Sequence, residues 1–338
     1  MDKISRRFPR LQKILYHFGW ISCFFGMGFI FYFLIKGTIN LILNPGSQPA
    51  LAPVLPGVAI PGMPTLSFWH WIVAILILAT IHEFSHGLVS RLHNIKVKSS
   101  GFAFLGPILA AFVEPDEKQL QKSKKTAQLS VYAAGPFMNV ITGFLFLLVS
   151  SFFVFSGVQI VNIVESSPAS QSGIVAGENI LMIDDYTINY VSDFKKSLND
   201  LEIGQEVIVK TDLDEYKIIA EENPNSEGKA YLGLTVDTVY PTDSKLLKGI
   251  IVWVKMLLYW LFVASVGVGL FNLLPLGPVD GGKMLYTGIF GLTNNEKIAK
   301  RIWIVISSFC LLLIIINLLP WVYKLLIFLF KPILLLIL

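Results

Sequence analysis

Five long apolar runs dictate what this chain can fold into. They cover residues 16–35, 67–92, 126–155, 249–276 and 302–319, and each approaches or exceeds the roughly 20 residues a helix needs to cross a bilayer. A further apolar piece, 323–338, carries Lys324, Lys331 and Pro332 and reads as either a short span or a helix lying in the interface. Charged residues fill only 15% of the 338 positions, against roughly 25% in average soluble domains. That excludes an ordinary soluble enzyme. The plentiful aromatic and branched apolar residues exclude a disordered chain. Cys23 and Cys310 lie far apart in separate apolar runs, which rules out a disulfide framework or a thiolate zinc cluster.

The charge is sharply partitioned. Between residues 157 and 247 lie sixteen of the 23 acidic residues but only six of the 27 lysines and arginines. An acidic, solvated insert therefore interrupts a basic and very apolar remainder. The basic leader (Lys3, Arg6, Arg7, Arg10, Lys13) and the segments 91–98, 118–125 and 297–301 all fall on one side of the bundle when the runs are counted as spans. The positive-inside rule makes that side cytoplasmic, with the N-terminus there and the insert outside. No small-x-small cleavage site follows the first run, so it is expected to be a retained helix rather than a signal peptide.

The expected division is a leader and first span over 1–36, then a Pro/Gly-rich extracytoplasmic or re-entrant loop over 37–66. A first membrane core follows over 67–156, the insert over 157–240, a second membrane core over 241–292, and transmembrane or interfacial helices over 293–338. Residues 99–113 are too short for a helical span, and their loose alternation with Gly106-Pro107 predicts an extended hairpin or re-entrant piece. Such backbone survives at membrane depth only when buried in protein or facing a wet cavity.

The second run contains His82-Glu83-Phe84-Ser85-His86. Histidines at i and i+4 project from one helical face and can grip one ion, while Glu83 is placed to take a proton from water activated there. Three ionisable residues within five positions of an apolar span are costly, and such residues usually mark function. Catalytic zinc usually takes three protein ligands. Val89 and Leu92 stand where a soluble metzincin would have Gly and His, so the third ligand lies elsewhere. Glu114 is one possibility. The stronger is Asp280, a lone carboxylate among Pro275, Gly277, Pro278, Gly281 and Gly282, although an N-cap aspartate opening a helix would look similar.

The combination of H-E-x-x-H in one span with Asn272-x-x-Pro275 and Asp280-Gly281 in a later one resembles the site-2 protease family of intramembrane zinc metalloproteases. The resemblance implies a polytopic α-helical membrane protein of about 5–6 transmembrane helices. It further implies a membrane-inserted β-hairpin over Gly101 to Glu117 and one small α/β PDZ-like domain inserted between spans. His82, His86 and Asp280 map to the ligands of a single zinc ion and Glu83 to the catalytic glutamate. Asn139, in Ala134-Gly-Pro-Phe-Met-Asn139, and Asn272 map to positions that hold substrate backbone or an oxyanion. Gluing helices together explains the two asparagines equally well. Val279 departs from the leucine usual before Asp-Gly, which leaves the ligand assignment intact.

The insert reads as a small β-rich domain, with strand character at 158–163 and 207–210 and helical spacing over 193–201. Its Ser167-Pro-Ala and Gly177-Glu178 punctuation resembles protease PDZ domains, which bind an extended peptide or chain end. The expected partners are a transmembrane protein substrate, such a peptide and the lipid bilayer, with no nucleic acid. The implied activity is hydrolysis of transmembrane segments in regulated intramembrane proteolysis. A transmembrane metal-ion transporter would string polar residues along several spans and show internal repeats, neither of which occurs here. A catalytically inactive scaffold is disfavoured because every catalytic position is filled.

Overall fold

A computed structural model describes residues 1–44, 46–105, 108–224 and 226–337. In chain order it begins with α1 (Asp2–Ser5), α2 (Pro9–Leu43), α3 (Phe68–Leu92), β1 (Val97–Leu105), β2 (Ile108–Pro115), α4 (Glu117–Lys122) and α5 (Lys125–Ser151). A β-rich stretch follows, with β3 (Val158–Ile163), α6 (Pro168–Gln171), β4 (Asn179–Ile183), β5 (Tyr186–Thr187), α7 (Val191–Asn199), β6 (Glu206–Thr211), β7 (Glu215–Ile219), β8 (Glu221–Glu222), β9 (Ala230–Tyr231) and β10 (Leu234–Thr238). Three helices close the chain: α8 (Lys245–Asn272), α9 (Asp280–Thr293) and α10 (Glu296–Ile337). The chain divides into one unit of Met1–Ser150 with Lys255–Leu338 and a second of Ser151–Val254.

Among the described residues, α2, α3, α5, α8 and the 296–327 portion of α10 are long and apolar enough to cross a membrane. Their shared core gathers Leu34, Val89, Val131, Ala134, Leu274 and Met284, all essentially buried. Small residues bring α5 and α8 close: a Cβ on Gly143 would lie 2.7 Å from Val266 Cγ2, and one on Gly269 would lie 3.1 Å from the Pro136 carbonyl oxygen. Without a hydrophobic drive between helices in lipid, such close backbone approach supplies the packing energy.

Two helices outrun the apolar runs that predict them. Helix α2 covers 9–43 rather than 16–35, with Pro9 in its first turn and Thr38 in its interior, whose hydroxyl donates to the Leu34 carbonyl at 2.7 Å. Helix α10 passes through Pro320 as one 42-residue element, where a break near 320 is expected from the sequence. Residues 46–67 form no helix or strand and are tied down at several points. Ala50 N–H donates to Asn317 Oδ1 at 2.8 Å, Trp71 Nε1 to Val54 O at 3.0 Å and Trp321 Nε1 to Leu51 O at 2.9 Å.

Strands β1 and β2 pair antiparallel, with Ser100 opposite Val113 and Gly101 opposite Phe112, and an irregularity between Val97 and Ser99. The second unit is built on an antiparallel sheet of order β10-β3-β4-β6-β7, with β5 added to β4. Strand β6 alternates exposed and buried residues from Glu206 to Thr211, the period-2 signature of a half-buried strand. Val158, Ile160, Ile180, Ile183, Val207 and Val209 form its core. Helix α7 begins two residues before its apolar spacing predicts, because Asp193 Oδ2 accepts the Tyr190 N–H at 2.9 Å and satisfies a donor outside the first turn.

Candidate metal centre

Ser67 caps the start of α3, accepting the His70 N–H at 3.4 Å, and the helix then carries its apolar sequence up to His82. One turn separates His82 from His86, so both imidazoles leave the same face. Their Nε2 atoms lie 3.1 Å apart. Asp280 Oδ2 lies 3.1 Å from His82 Nε2 and 3.3 Å from His86 Nε2.

The delivery of Asp280 depends on the two glycines after it. Asp280 is the first residue of α9. A Cβ on Gly281 would fall 2.4 Å from the Leu273 carbonyl, and one on Gly282 would fall 2.0 Å from Leu276 O. The turn joining α8 to α9 thus folds directly onto bare backbone, which carries the carboxylate back to α3. Gly135 of α5 performs the same service on the other side: a Cβ there would sit 2.5 Å from His86 Nε2 and 2.6 Å from His82 Nε2. The Val131 carbonyl, one turn earlier on α5, lies 2.7 Å from His86 Nδ1.

The face of α3 around from the histidines meets strand β2. Glu83 Oε2 accepts the backbone N–H of Val113 in β2 at 3.0 Å. Gly87, one turn beyond Glu83, lets the strand approach, since a Cβ there would lie 3.0 Å from Val113 Cγ1. A cavity of about 510 Å³ opens on His82, Glu83, His86, Asn272 and Asp280.

The sequence candidates separate in space. Asn272 lines that cavity, its amide donating to the Val268 carbonyl at 3.1 Å. Asn139 is fully buried behind His82, with Nδ2 3.2 Å from His82 Nδ1. Glu114 also borders the cavity but accepts the Ser99 hydroxyl at 2.7 Å. Among the described residues, the metal-capable cluster is His82, His86 and Asp280.

The ligand atoms suit zinc. A tetrahedral ion with bonds of ~2.0–2.1 Å has ligand–ligand edges of roughly 3.3 Å, close to the spacings of 3.1–3.3 Å found here. Two imidazole nitrogens and a carboxylate form a donor set of the kind zinc accepts. The clearance kept by Gly135 leaves these atoms unobstructed on the α5 side.

Comparison with known proteins places the chain. The family model described as Peptidase family M50 matches residues 70–316. The chain belongs to peptidase family M50. The matched region of this M50 chain includes both histidines and Asp280. An uncharacterised protein of Methanocaldococcus jannaschii is 31% identical over 255 residues, covering 73% of this chain and 64% of that protein. The chain thus spans a little under two thirds of that relative. A Clostridium perfringens protein provisionally named a zinc metalloprotease is 26% identical over 289 residues, covering 69% of this chain and 86% of its own length. Among solved structures, the PDZ domain of the SdrC-like protein from Listeria monocytogenes aligns with TM-score 0.21 and 19% identity, over 25% of this chain and 90% of that one.

Three features around this candidate centre are invisible as such in the M50 chain's sequence: the Val113 N–H, the Val131 carbonyl and the clearance at Gly135. The first two are main-chain groups that every residue possesses. The third had a weak signal in Gly135, which reads in the sequence as a close-packing position rather than part of a site.

Proposed function

We propose that this chain is an intramembrane metalloendopeptidase that hydrolyses peptide bonds within transmembrane segments of other membrane proteins. The observation that supports it best is the meeting of His82, His86 and Asp280 beside Glu83 on a helix apolar enough to span a bilayer. His82, His86 and Asp280 would hold one zinc ion, which when bound supplies a Lewis acid for the scissile carbonyl and acidifies water.

Glu83 is the general base: its carboxylate takes a proton from the attacking water and returns it to the leaving amine nitrogen. Asn272, on the cavity wall, offers its amide to substrate backbone or to the carbonyl oxygen as that atom gains charge. A helical peptide bond is shielded by its own hydrogen bonds, so the substrate must unwind locally. Unwound backbone at membrane depth needs partners, and strand addition at the 99–113 segment, near Glu83, meets that need. The second unit acts as a PDZ-like module on the extracytoplasmic side, taking an extended peptide or chain end, while the N-terminus is cytoplasmic. This assignment makes the chain a component of regulated intramembrane proteolysis.

The test is cleavage of a reconstituted transmembrane substrate by the wild type and Glu83→Gln, with zinc quantified in both. The variant should keep its zinc and cleave ~10²–10⁴-fold more slowly. Equal cleavage by both proteins, or cleavage that survives removal of the metal, overturns the reading.

A further inference from the structure

We propose that Asn139 is a positioning residue whose amide oxygen accepts the His82 Nδ1 hydrogen, leaving His82 Nε2 free to hold the metal. The inference rests on the zinc-site reading above.

The two imidazoles are steered by different partners. His86 Nδ1 lies 2.7 Å from the Val131 carbonyl oxygen, a group that can only accept. That contact settles the His86 hydrogen on Nδ1 and points the Nε2 lone pair at the cluster. Among the described residues, no carbonyl holds His82 Nδ1 in this way. Its Nδ1 faces the side-chain amide of Asn139 instead, and an amide can donate from one end or accept at the other.

The direction matters. With the amide nitrogen against Nδ1, the His82 hydrogen must sit on Nε2, 3.1 Å from Asp280 Oδ2, and the lone pair needed for a metal is lost. With the amide oxygen there, His82 matches His86. The two orientations have the same shape and differ by half a turn about the last side-chain torsion. Nothing else dictates the choice: the far end of the amide, Oδ1, is buried and meets no hydrogen-bond partner among the described residues. Asn139 is also held in place from behind, where a Cβ on Gly269 would lie 3.3 Å from Asn139 Cβ.

This role differs from holding substrate. Asn139 is fully buried, and it is absent from the walls of the cavity that Asn272 lines. Groups that hydrogen-bond the outer nitrogen of a metal-binding histidine fix its tautomer, and their loss typically costs ~10–100-fold in metal affinity.

The experiment measures zinc retention against a competing chelator, with no substrate present. It uses full-length detergent-solubilised wild type, Asn139→Leu, Asn139→Asp and His82→Ala, each confirmed monodisperse. Leucine keeps the volume and removes the acceptor, whereas aspartate can only accept. Asn139→Leu should release zinc ~10–100-fold more readily, while Asn139→Asp should hold it as the wild type does. If both variants hold zinc like the wild type while His82→Ala loses it, the positioning role is overturned and the zinc site stands. Equal loss in Asn139→Leu and Asn139→Asp also overturns it, because acceptance would then not be the property that matters. A wild type that binds no zinc overturns the zinc-site reading and this inference together.

Discussion

The carboxylate of Glu83 accepts the backbone N–H of Val113 at 3.0 Å, linking α3 to β2. Glu83 is therefore held by a main-chain donor on the strand edge that faces α3. Proline at an outward-facing edge position removes an N–H without breaking the ladder to the neighbouring strand. Val113→Pro should keep its zinc yet cleave about 10- to 100-fold more slowly, the scale expected when a reacting group is misplaced. Parallel zinc and cleavage assays check this, and unchanged cleavage would show that the contact has no part in catalysis.

Gly135 and Gly143 lie two turns apart on α5 and guard different neighbours. A methyl at 135 lands on the imidazoles, whereas a methyl at 143 lands on Val266 of α8. Gly135→Ala should lose zinc affinity by at least ~10-fold, the order seen when metal ligands are disturbed. Gly143→Ala should retain zinc and unfold at lower temperature. Chelator competition and thermal unfolding, run on both variants, separate the two effects.

Asn317 ties three segments together inside the bundle. Its Nδ2 donates to Thr38 Oγ1 at 2.6 Å and to Leu313 O at 2.9 Å, and its Oδ1 accepts from Ala50 N. Asn317→Leu removes the acceptor of the half-buried Ala50 N–H, and a lost hydrogen bond typically costs about 0.5–1.5 kcal/mol. The unfolding free energy in detergent should fall by that amount while zinc content stays at the wild-type level.

Asp212 gives the second unit a pH dependence. The backbone N–H of Asn179 donates to its Oδ1 at 2.8 Å and the Asn179 side chain to its Oδ2 at 2.7 Å. These bonds, the backbone one foremost, hold its carboxyl below the usual range. A depressed folded-state pKa means that the stabilisation is complete above the unfolded value of about 4 and disappears as pH falls through the folded value. Asp212→Asn should speed amide exchange in β4 and β6 roughly 1.5- to 5-fold at neutral pH, as expected for an exposed charge contact. Compared at each pH, the gap between variant and wild type should close in strong acid.

The cluster of His82, His86 and Asp280 was legible in the sequence because it sits where polar side chains are expensive. His82, Glu83, His86 and Asp280 interrupt or border apolar runs that need no such groups. Helix ends were less legible. Helix α2 runs on past Lys36 and Gly37 and α10 runs through Pro320, so the ends of the apolar runs are not the ends of the helices. The grip on Glu83 was invisible for a different reason. Val113 acts through its amide rather than its side chain, and only the pairing of β1 with β2 determines where that amide points.

His82 and Asp280 stand 198 residues apart in sequence, on either side of the second unit. During synthesis the two imidazoles leave the ribosome long before the carboxylate that meets them. At ~5–20 residues per second that interval is about 10–40 s, during which α3 exists without its third partner. The three-residue cluster is therefore complete only once α9 has been made and Asp280 is carried back to α3.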